Sequence, residues 1–366
     1  MALQSAQNRS AHSKMRVTIS DVSEALGVTK STVSRALNDY ADISEATRLR
    51  VRRMADSMGY KPLSHAQAIR TGQTKSLGLV IQMGDHDAQR PFLAEFLAGL
   101  SQGASASGWT LTIAASNDDD TTMETFKDII RNRRADGFIL PRTMVMDPRI
   151  QLLRKADVPF VLFGRSPDPT GCAWFDVLGE EAMADAVAHL AALGHRKIGF
   201  INGGMQYTYG ALRRDGYLRA LAEAGLSPDV AHMREGAMTI ADGASRAREI
   251  LTTPNPPTAI VCAVDMAALG VYSAATELGL EIAKDVSVIS YDGSPEGAHA
   301  SPPLSTFAVE YTQAGRRLSE FLIRQINGEA PENLRETVKA TFLDRGSAGP
   351  PRMTSEQLAD HLSAIA

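Results

Sequence analysis

Cysteine is scarce in this chain. Only Cys172 and Cys262 occur in 366 residues, too few for a disulfide scaffold. Cys262 sits inside the apolar run AIVCAV, which predicts a buried free thiol, and such usage fits a reducing compartment. His65, His189, His195, His232 and His299 show no metal-ligand spacing, so no metal or other cofactor is expected. No apolar run approaches the roughly 20 residues of a membrane-crossing helix. The opening MALQSAQNRSAHSKMR has no apolar core of an export signal. A cytoplasmic protein with no membrane partner is expected. Enzyme signatures are missing too: no G-x-G-x-x-G follows a predicted strand, and neither a P-loop nor a G-x-S-x-G elbow occurs. An enzyme on a Rossmann-like sheet is therefore disfavoured, and no catalytic residue is assigned.

Charge is present but unevenly placed. The net charge of −4 hides two opposite halves. Residues 1–75 hold 12 Lys and Arg against 6 Asp and Glu, and the other 291 residues hold 26 against 36. A basic head on an acidic body points to a polyanion partner for the head alone.

Within that head, TISDVSEALGVTKSTVSRALN (18–38) reads as two short helices and a tight turn. Ile19, Val22, Leu26, Val28, Val33 and Leu37 are spaced for two helices packed on each other. Thr18 caps the first, with Asp21 three residues on, and Gly27 closes it. Thr29 caps the second, over Lys30–Leu37. Its outer side carries Lys30, Ser31, Ser34 and Arg35, hydrogen-bonding groups with no carboxylate, as a helix entering a DNA major groove requires. Ser44 opens a third helix, Glu45–Met58, ending at Gly59, on which Leu49, Met54 and Met58 can pack over the first two. Its Arg48, Arg50, Arg52 and Arg53 are surface charges or phosphate contacts. After Tyr60-Lys61-Pro62, the stretch Leu63–Arg70 is helical in pattern but about two turns long, too short to stand alone in water.

From Ser76 the texture changes. Apolar runs of strand length (77–81, 111–115, 137–140, 159–163, 198–201, 259–264, 286–291) alternate with amphipathic helices (92–107, 122–134, 148–156, 179–193, 210–224, 241–251, 265–278, 311–327). That alternation predicts parallel sheets with helices on both faces. The hydrophobic content of 44% suffices for sizeable cores. Phe307–Val309 and Thr337–Phe342 read as final strands.

The pattern T-I-x-D-V-x-x-x-x-G-V-T-x-x-T-V-S-R-x-L-N resembles the opening of the lac repressor (LacI/GalR) family of bacterial regulators. Later blocks extend the resemblance over almost the whole chain: DGFIL (136–140), VPFVLFGR (158–165), HLAALGHRKIGFI (189–201), LRRDGYLRAL (212–221), PTAIVCAVDMAALG (257–270) and DVSVISYDG (285–293). The resemblance implies an all-α helix-turn-helix head with a hinge helix. It also implies an α/β two-lobed body, like a periplasmic binding protein, of two doubly wound parallel sheets. The expected divisions are a disordered tail (1–15), the head (16–60), hinge and linker (61–75), the body (76–345) and a C-terminal tail (346–366). Lobe one takes about 76–174 and 306–335, lobe two about 175–305 and 336–345, with crossings near Trp174, Ser305 and Glu336. It implies a DNA-contacting set of Thr18, Thr29, Lys30, Ser31, Thr32, Ser34, Arg35, Asn38, Tyr60, Ala66 and Ile69. Ile69 stands where the family usually places a leucine wedge for the minor groove.

Ligands of doubly wound sheets sit beyond the carboxyl ends of the strands. Residues just after the apolar runs therefore line the cleft: Gln82, Gly164-Arg165, Asn202, Val264-Asp265, Asp292 and Tyr311. Sugar recognition needs planar, bidentate polar groups and aromatic faces. Arg165, Arg213, Asp265 and Asp292 supply the first, and Phe92, Trp174, Tyr207 and Tyr311 the second. By the resemblance, Arg213 and Asp292 fall on positions that hold effector hydroxyls, and Asp265 matches as well. Val264 departs from the family's frequent Asn, and Gly164 from an acidic residue found in some members.

The expected function is a transcriptional repressor of sugar-utilisation genes. Its partners are double-stranded operator DNA, a small-molecule effector of the sugar class, and further copies of itself, as a homodimer or a tetramer. Release by the effector is the default, and corepression is the alternative. A periplasmic sugar-binding protein is disfavoured by the basic head and the missing export signal.

Overall fold

Capping groups decide where the helices of the amino-terminal unit begin and end. The structure, a computed structural model, describes residues 17–60, 72–82 and 92–365, in two compact units that divide between Thr74 and Lys75. Helix α1 (Ile19–Leu26) starts at Thr18, whose amide and hydroxyl both donate to Asp21 (2.7 and 2.8 Å), and ends at Gly27 with φ 64°. Helix α2 (Lys30–Leu37) starts at Thr29, whose hydroxyl accepts from the Thr32 amide at 3.1 Å. Helix α3 (Glu45–Met58) starts at Ser44 and ends at Gly59. Val22, Val33, Ala36, Val51 and Ala55 form the core, with Met54 and Met58 against it. Leu49 does not join them. It is 47% exposed, because the helical period that turns Val51 and Ala55 inward turns Leu49 out. The expected tail 1–15 and the expected hinge helix, with Ala66 and Ile69, lie outside the described residues.

The second unit begins β1 (Ser76–Gln82), α4 (Leu93–Ala106), β2 (Thr110–Ser116), α5 (Asp119–Arg131), β3 (Gly137–Pro141), α6 (Pro148–Lys155), β4 (Phe160–Phe163) and β5 (Ala173–Val177). It continues α7 (Gly179–Ala192), β6 (Ile198–Ile201), α8 (Thr208–Glu223), β7 (Met233–Arg234), α9 (Ile240–Leu251), β8 (Ala259–Cys262), α10 (Asp265–Glu277) and β9 (Ser287–Asp292). It ends α11 (Pro295–Ala298), β10 (Ser305–Ala308), α12 (Tyr311–Ile326), β11 (Arg335–Val338), β12 (Thr341–Leu343) and α13 (Ser355–Ile365). One sheet runs β2-β1-β3-β4-β5-β11, all parallel. The other runs β7-β6-β8-β9-β10-β12, in which β12 alone is antiparallel. The same strand order is thus used twice. IGFI and AIVC are buried at every position, as strands covered on both faces must be.

The chain passes between lobes at Leu178, at Val309-Glu310 and at Lys339-Ala340, three to five residues later than the resemblance implied. The reason is strand pairing. AWFDV keeps pairing with β4 and β11 in lobe one, and β10 completes its register with β9 in lobe two before the chain leaves. The expected strand Thr337–Phe342 is two strands in different sheets. The C-terminal segment belongs to lobe two. Ser347 is wholly buried and donates to the Val288 carbonyl at 2.6 Å, and Leu358 of α13 sits in that lobe's core with Met353 and Leu362. The buried His195 ring bonds Thr258, Ser287 and the Gly349 carbonyl, tying the segment to the sheet. Cys172 and Cys262 are both buried and free.

Candidate functional site

On the head, Lys30, Ser31 and Arg35 are exposed on α2, as is the capping residue Thr29. Thr32 and Ser34 are half-buried, and Asn38 at the helix end donates to the Ser34 carbonyl at 2.7 Å. Thr18 is exposed at the start of α1, and Tyr60 packs half-buried against the head core. Arg35 pairs with Asp42 at 2.6 Å and lies 5.1 Å from the Tyr40 ring. Both partners of that pair are solvent-exposed, so surrendering it to a base edge costs under about 1 kcal/mol. On α3, Arg48 and Arg52 hold Asp39 and so tie down the preceding loop; Arg50 and Arg53 stay exposed.

In the body, the carboxyl ends of both sheets face one cleft of about 150 Å³. Lobe one presents Arg142, Gly164-Arg165 and Asp176; lobe two presents Glu180, from the first turn of α7, with Tyr209, Arg213, Tyr291 and Asp292. Arg165 donates to Asp176 and to Glu180, each at 2.5 Å. Arg213 is 9% exposed, lies 3.9 Å from the Tyr291 ring centre and 4.6 Å from that of Tyr209, and donates to the Ala263 carbonyl at 2.5 Å. Two glycines make this arrangement possible. A β-carbon at Gly179 would stand 2.8 Å from the Arg213 Nε, and one at Gly216 would collide with the Glu180 carbonyl. The floor is aromatic: Phe92 and Tyr311 stack at 4.7 Å, with Phe163 edge-on to Tyr311.

Tyr311 donates its hydroxyl to Asp292 at 3.0 Å. Burial, then the charge of Asp265, pushes the Asp292 carboxyl up to about 7 against the pull of Arg213. Burial likewise raises Asp176 to about 6, opposed by Arg165. Asp292 has φ 132°, a backbone region costly for a residue with a β-carbon and frequent at functional sites.

The lobes also meet by backbone. The Val145 amide donates to the Gln206 carbonyl and the Thr208 amide to the Thr143 carbonyl, both at 3.0 Å, bracketing a Met144–Tyr207 bridge. The 141–149 loop is rigid because buried Asp147 accepts from the Met144 amide and from Arg149, which also donates to the carbonyls of Pro141 and Arg142.

Of the residues expected in the cleft, Phe92, Arg165, Arg213, Asp292 and Tyr311 come together there. Asp265 does not reach it. Its carboxylate is wholly buried and accepts from the Ser294 amide and the Thr306 hydroxyl at 2.7 Å each, fastening the turn before α11 and strand β10 to the start of α10. Gln82 and Tyr207 line an adjoining hollow with Phe92 and Arg142; the Tyr207 ring lies beneath Arg142 at 4.3 Å. Trp174 points away and packs under Arg335 at 4.2 Å. Asn202 is wholly buried and donates to the Gly210 carbonyl. Asp176, Glu180, Tyr209 and Tyr291 were not foreseen. Asp176 is the penultimate residue of a strand, AWFDV, whose polar member hid it from a search for apolar runs.

A DNA-reading helix on a basic head and a two-lobed cleft in the same chain define a ligand-binding DNA-binding protein. Residues 18–63 match the family model described as bacterial regulatory proteins, lacI family, and residues 187–348 match the periplasmic binding protein-like domain. The transcriptional regulator AglR of Rhizobium meliloti is 35% identical, over 92% of this chain and 95% of its own length. RafR of Escherichia coli is 31% identical over 90% and 98%. A solved regulator, CelR in complex with cellobiose, superposes with TM-score 0.71 at 27% identity, covering 91% of this chain and all of that one. The chain belongs to the LacI family of bacterial transcriptional regulators.

Proposed function

We propose that this regulator represses sugar-utilisation genes and is released from a palindromic operator by a saccharide bound in the cleft. The observation that carries the reading is the cleft wall itself. Planar carboxylate and guanidinium groups stand beside an aromatic floor, the pairing that sugar hydroxyls and sugar C–H faces need. The cellobiose bound by CelR, a relative of the same architecture, supports it. Lys30, Ser31 and Arg35 read base edges. One head offers too few such contacts for a specific site, so the acting form is a homodimer on two half-sites. By the family resemblance, residues 61–75 serve as the hinge and Ile69 as the minor-groove wedge. Saccharide shifts operator affinity by its differential affinity for two lobe arrangements. The relatives are transcriptional regulators, and we assign no enzymatic activity. Among the described residues no helix is long and apolar enough to cross a membrane; with DNA as partner, the cytoplasm is the proposed location.

The test is operator binding by fluorescence anisotropy with and without saccharides. Release on addition supports the proposal, and tightening makes the protein a corepressor form of the same family. Operator binding by a chain lacking residues 1–75, or steady turnover of a bound sugar, overturns it.

A further inference from the structure

Among the described residues three arginines reach the cleft, and each already touches a neighbour. Arg165 is bonded to Asp176 and Glu180. Arg213 covers Tyr291 and Tyr209 and donates to Ala263. Arg142 covers Tyr207. Asp176, Glu180 and Asp292 share the same walls, so three formal negative charges stand against three positive ones. Among the described residues the formal charges of the walls balance, so an incoming phosphate or carboxylate would bring a net negative charge.

Glu180 differs from its neighbours. Its Oε1 accepts from Arg165, but its Oε2 is buried and meets no donor. The side chain is 16% exposed. Its position is fixed by packing, since α8 presses on the Glu180 carbonyl where Gly216 has no side chain. A buried acceptor without a donor is costly, and a carboxylate oxygen can only accept. Arg213 presents the converse, a buried Nε–H with no acceptor. The walls thus lack one donor and one acceptor. A hydroxyl, which both donates and accepts, suits either. A phosphate or carboxylate accepts only and adds like charge beside Glu180; an ammonium donates only and adds like charge beside Arg213.

We infer that the cleft takes an uncharged, polyhydroxylated saccharide and that Glu180 selects it against acidic sugars, an inference that rests on the saccharide reading above. The experiment is isothermal calorimetry on the full-length chain. Lactose, melibiose, maltose, cellobiose, sucrose and trehalose are the neutral probes, lactobionate and trehalose 6-phosphate the acidic ones, and fully deacetylated chitobiose the cationic one. At least one neutral sugar should bind, with the acidic and cationic probes about a hundredfold weaker or more. E180Q puts an amide at this position and removes the charge. It should weaken the neutral sugar roughly tenfold to a hundredfold and narrow the neutral-to-acidic ratio by about tenfold. E180D keeps the charge and should keep the ratio even where affinity falls, with circular dichroism to check that both variants are folded. An acidic or cationic probe binding as tightly as the best neutral one overturns the inference, as does an E180Q ratio equal to that of the wild type. Failure of every saccharide to bind overturns the saccharide reading itself, and this inference with it.

Discussion

Asp292→Asn should make this protein more stable, and more so at higher pH. The folded chain holds the Asp292 proton more tightly than the unfolded chain, about 7 against an ordinary 3.8. Stability therefore falls as pH rises between those values and is level above the upper one. At about 1.4 kcal/mol for each factor of ten in proton affinity, the ionised group costs the fold about 4 kcal/mol at pH 8 and about 1.5 kcal/mol at pH 5. Asparagine cannot ionise, keeps an acceptor for the Tyr311 hydroxyl, and tolerates a positive φ better than most residues. Urea or thermal unfolding can be followed by the fluorescence of Trp109 and Trp174, both in lobe one. D292N should raise the midpoint at pH 8, by up to about 8 °C at roughly 2 °C per kcal/mol, with a smaller gain at pH 5. Saccharide response should be lost in the same variant. Equal midpoints for the two proteins at both pH values, or a lower one for D292N at pH 8, would mean that Arg213 and Tyr311 already stabilise the charge fully. The reasoning from burial would then be wrong.

Arg35→Ala should cost about 1–3 kcal/mol at one operator base pair and relax specificity there, measured by anisotropy on singly substituted operators; uniform weakening on all sequences would make Arg35 a phosphate contact. Asp42→Ala, which removes its exposed ion-pair partner, should change affinity by less than about 1 kcal/mol. Thr208→Pro deletes the amide that donates to Thr143 across the lobes. Proline is tolerated at the first helical position, and the extended backbone of Tyr207 suits a following proline, so the fold should survive while saccharide affinity drops several-fold. Unchanged affinity would mean the inter-lobe bridge plays no part in closure. Leu358→Ala should lower unfolding stability by about 2–5 kcal/mol, whereas an unmoved midpoint would make α13 an appendage.

The readable parts of this molecule are those whose physics is local. Helix ends followed from hydroxyl caps and glycines, as at Thr18, Thr29, Ser44, Gly27 and Gly59. Strands such as IGFI and AIVC followed from unbroken apolar runs. Arg213 was reached by motif, and Asp292 by motif and by its place at the carboxyl end of a strand. The errors share a different character. Leu49 was placed in the head core by apolarity alone, and its phase on α3 decides otherwise. Asp265 and Asp292 both stand at carboxyl ends of strands in lobe two, yet one is sealed by Ser294 and Thr306 while the other faces the cleft.

The sequence by itself determined the class of fold, the basic reading head and the acidic two-lobed body, because periodicity, capping and charge distribution act over a few residues or over simple sums. Only the tertiary structure decided which polar side chains share the cleft and which of their atoms are left without partners. Glu180 and Asp176 acquire their meaning from Arg165 in the loop after β4, and Arg213 from Gly179 and from Tyr291, both far away in the chain. Such matches depend on how two sheets and the helices between them pack to within an ångström, and no local pattern in the chain encodes that distance.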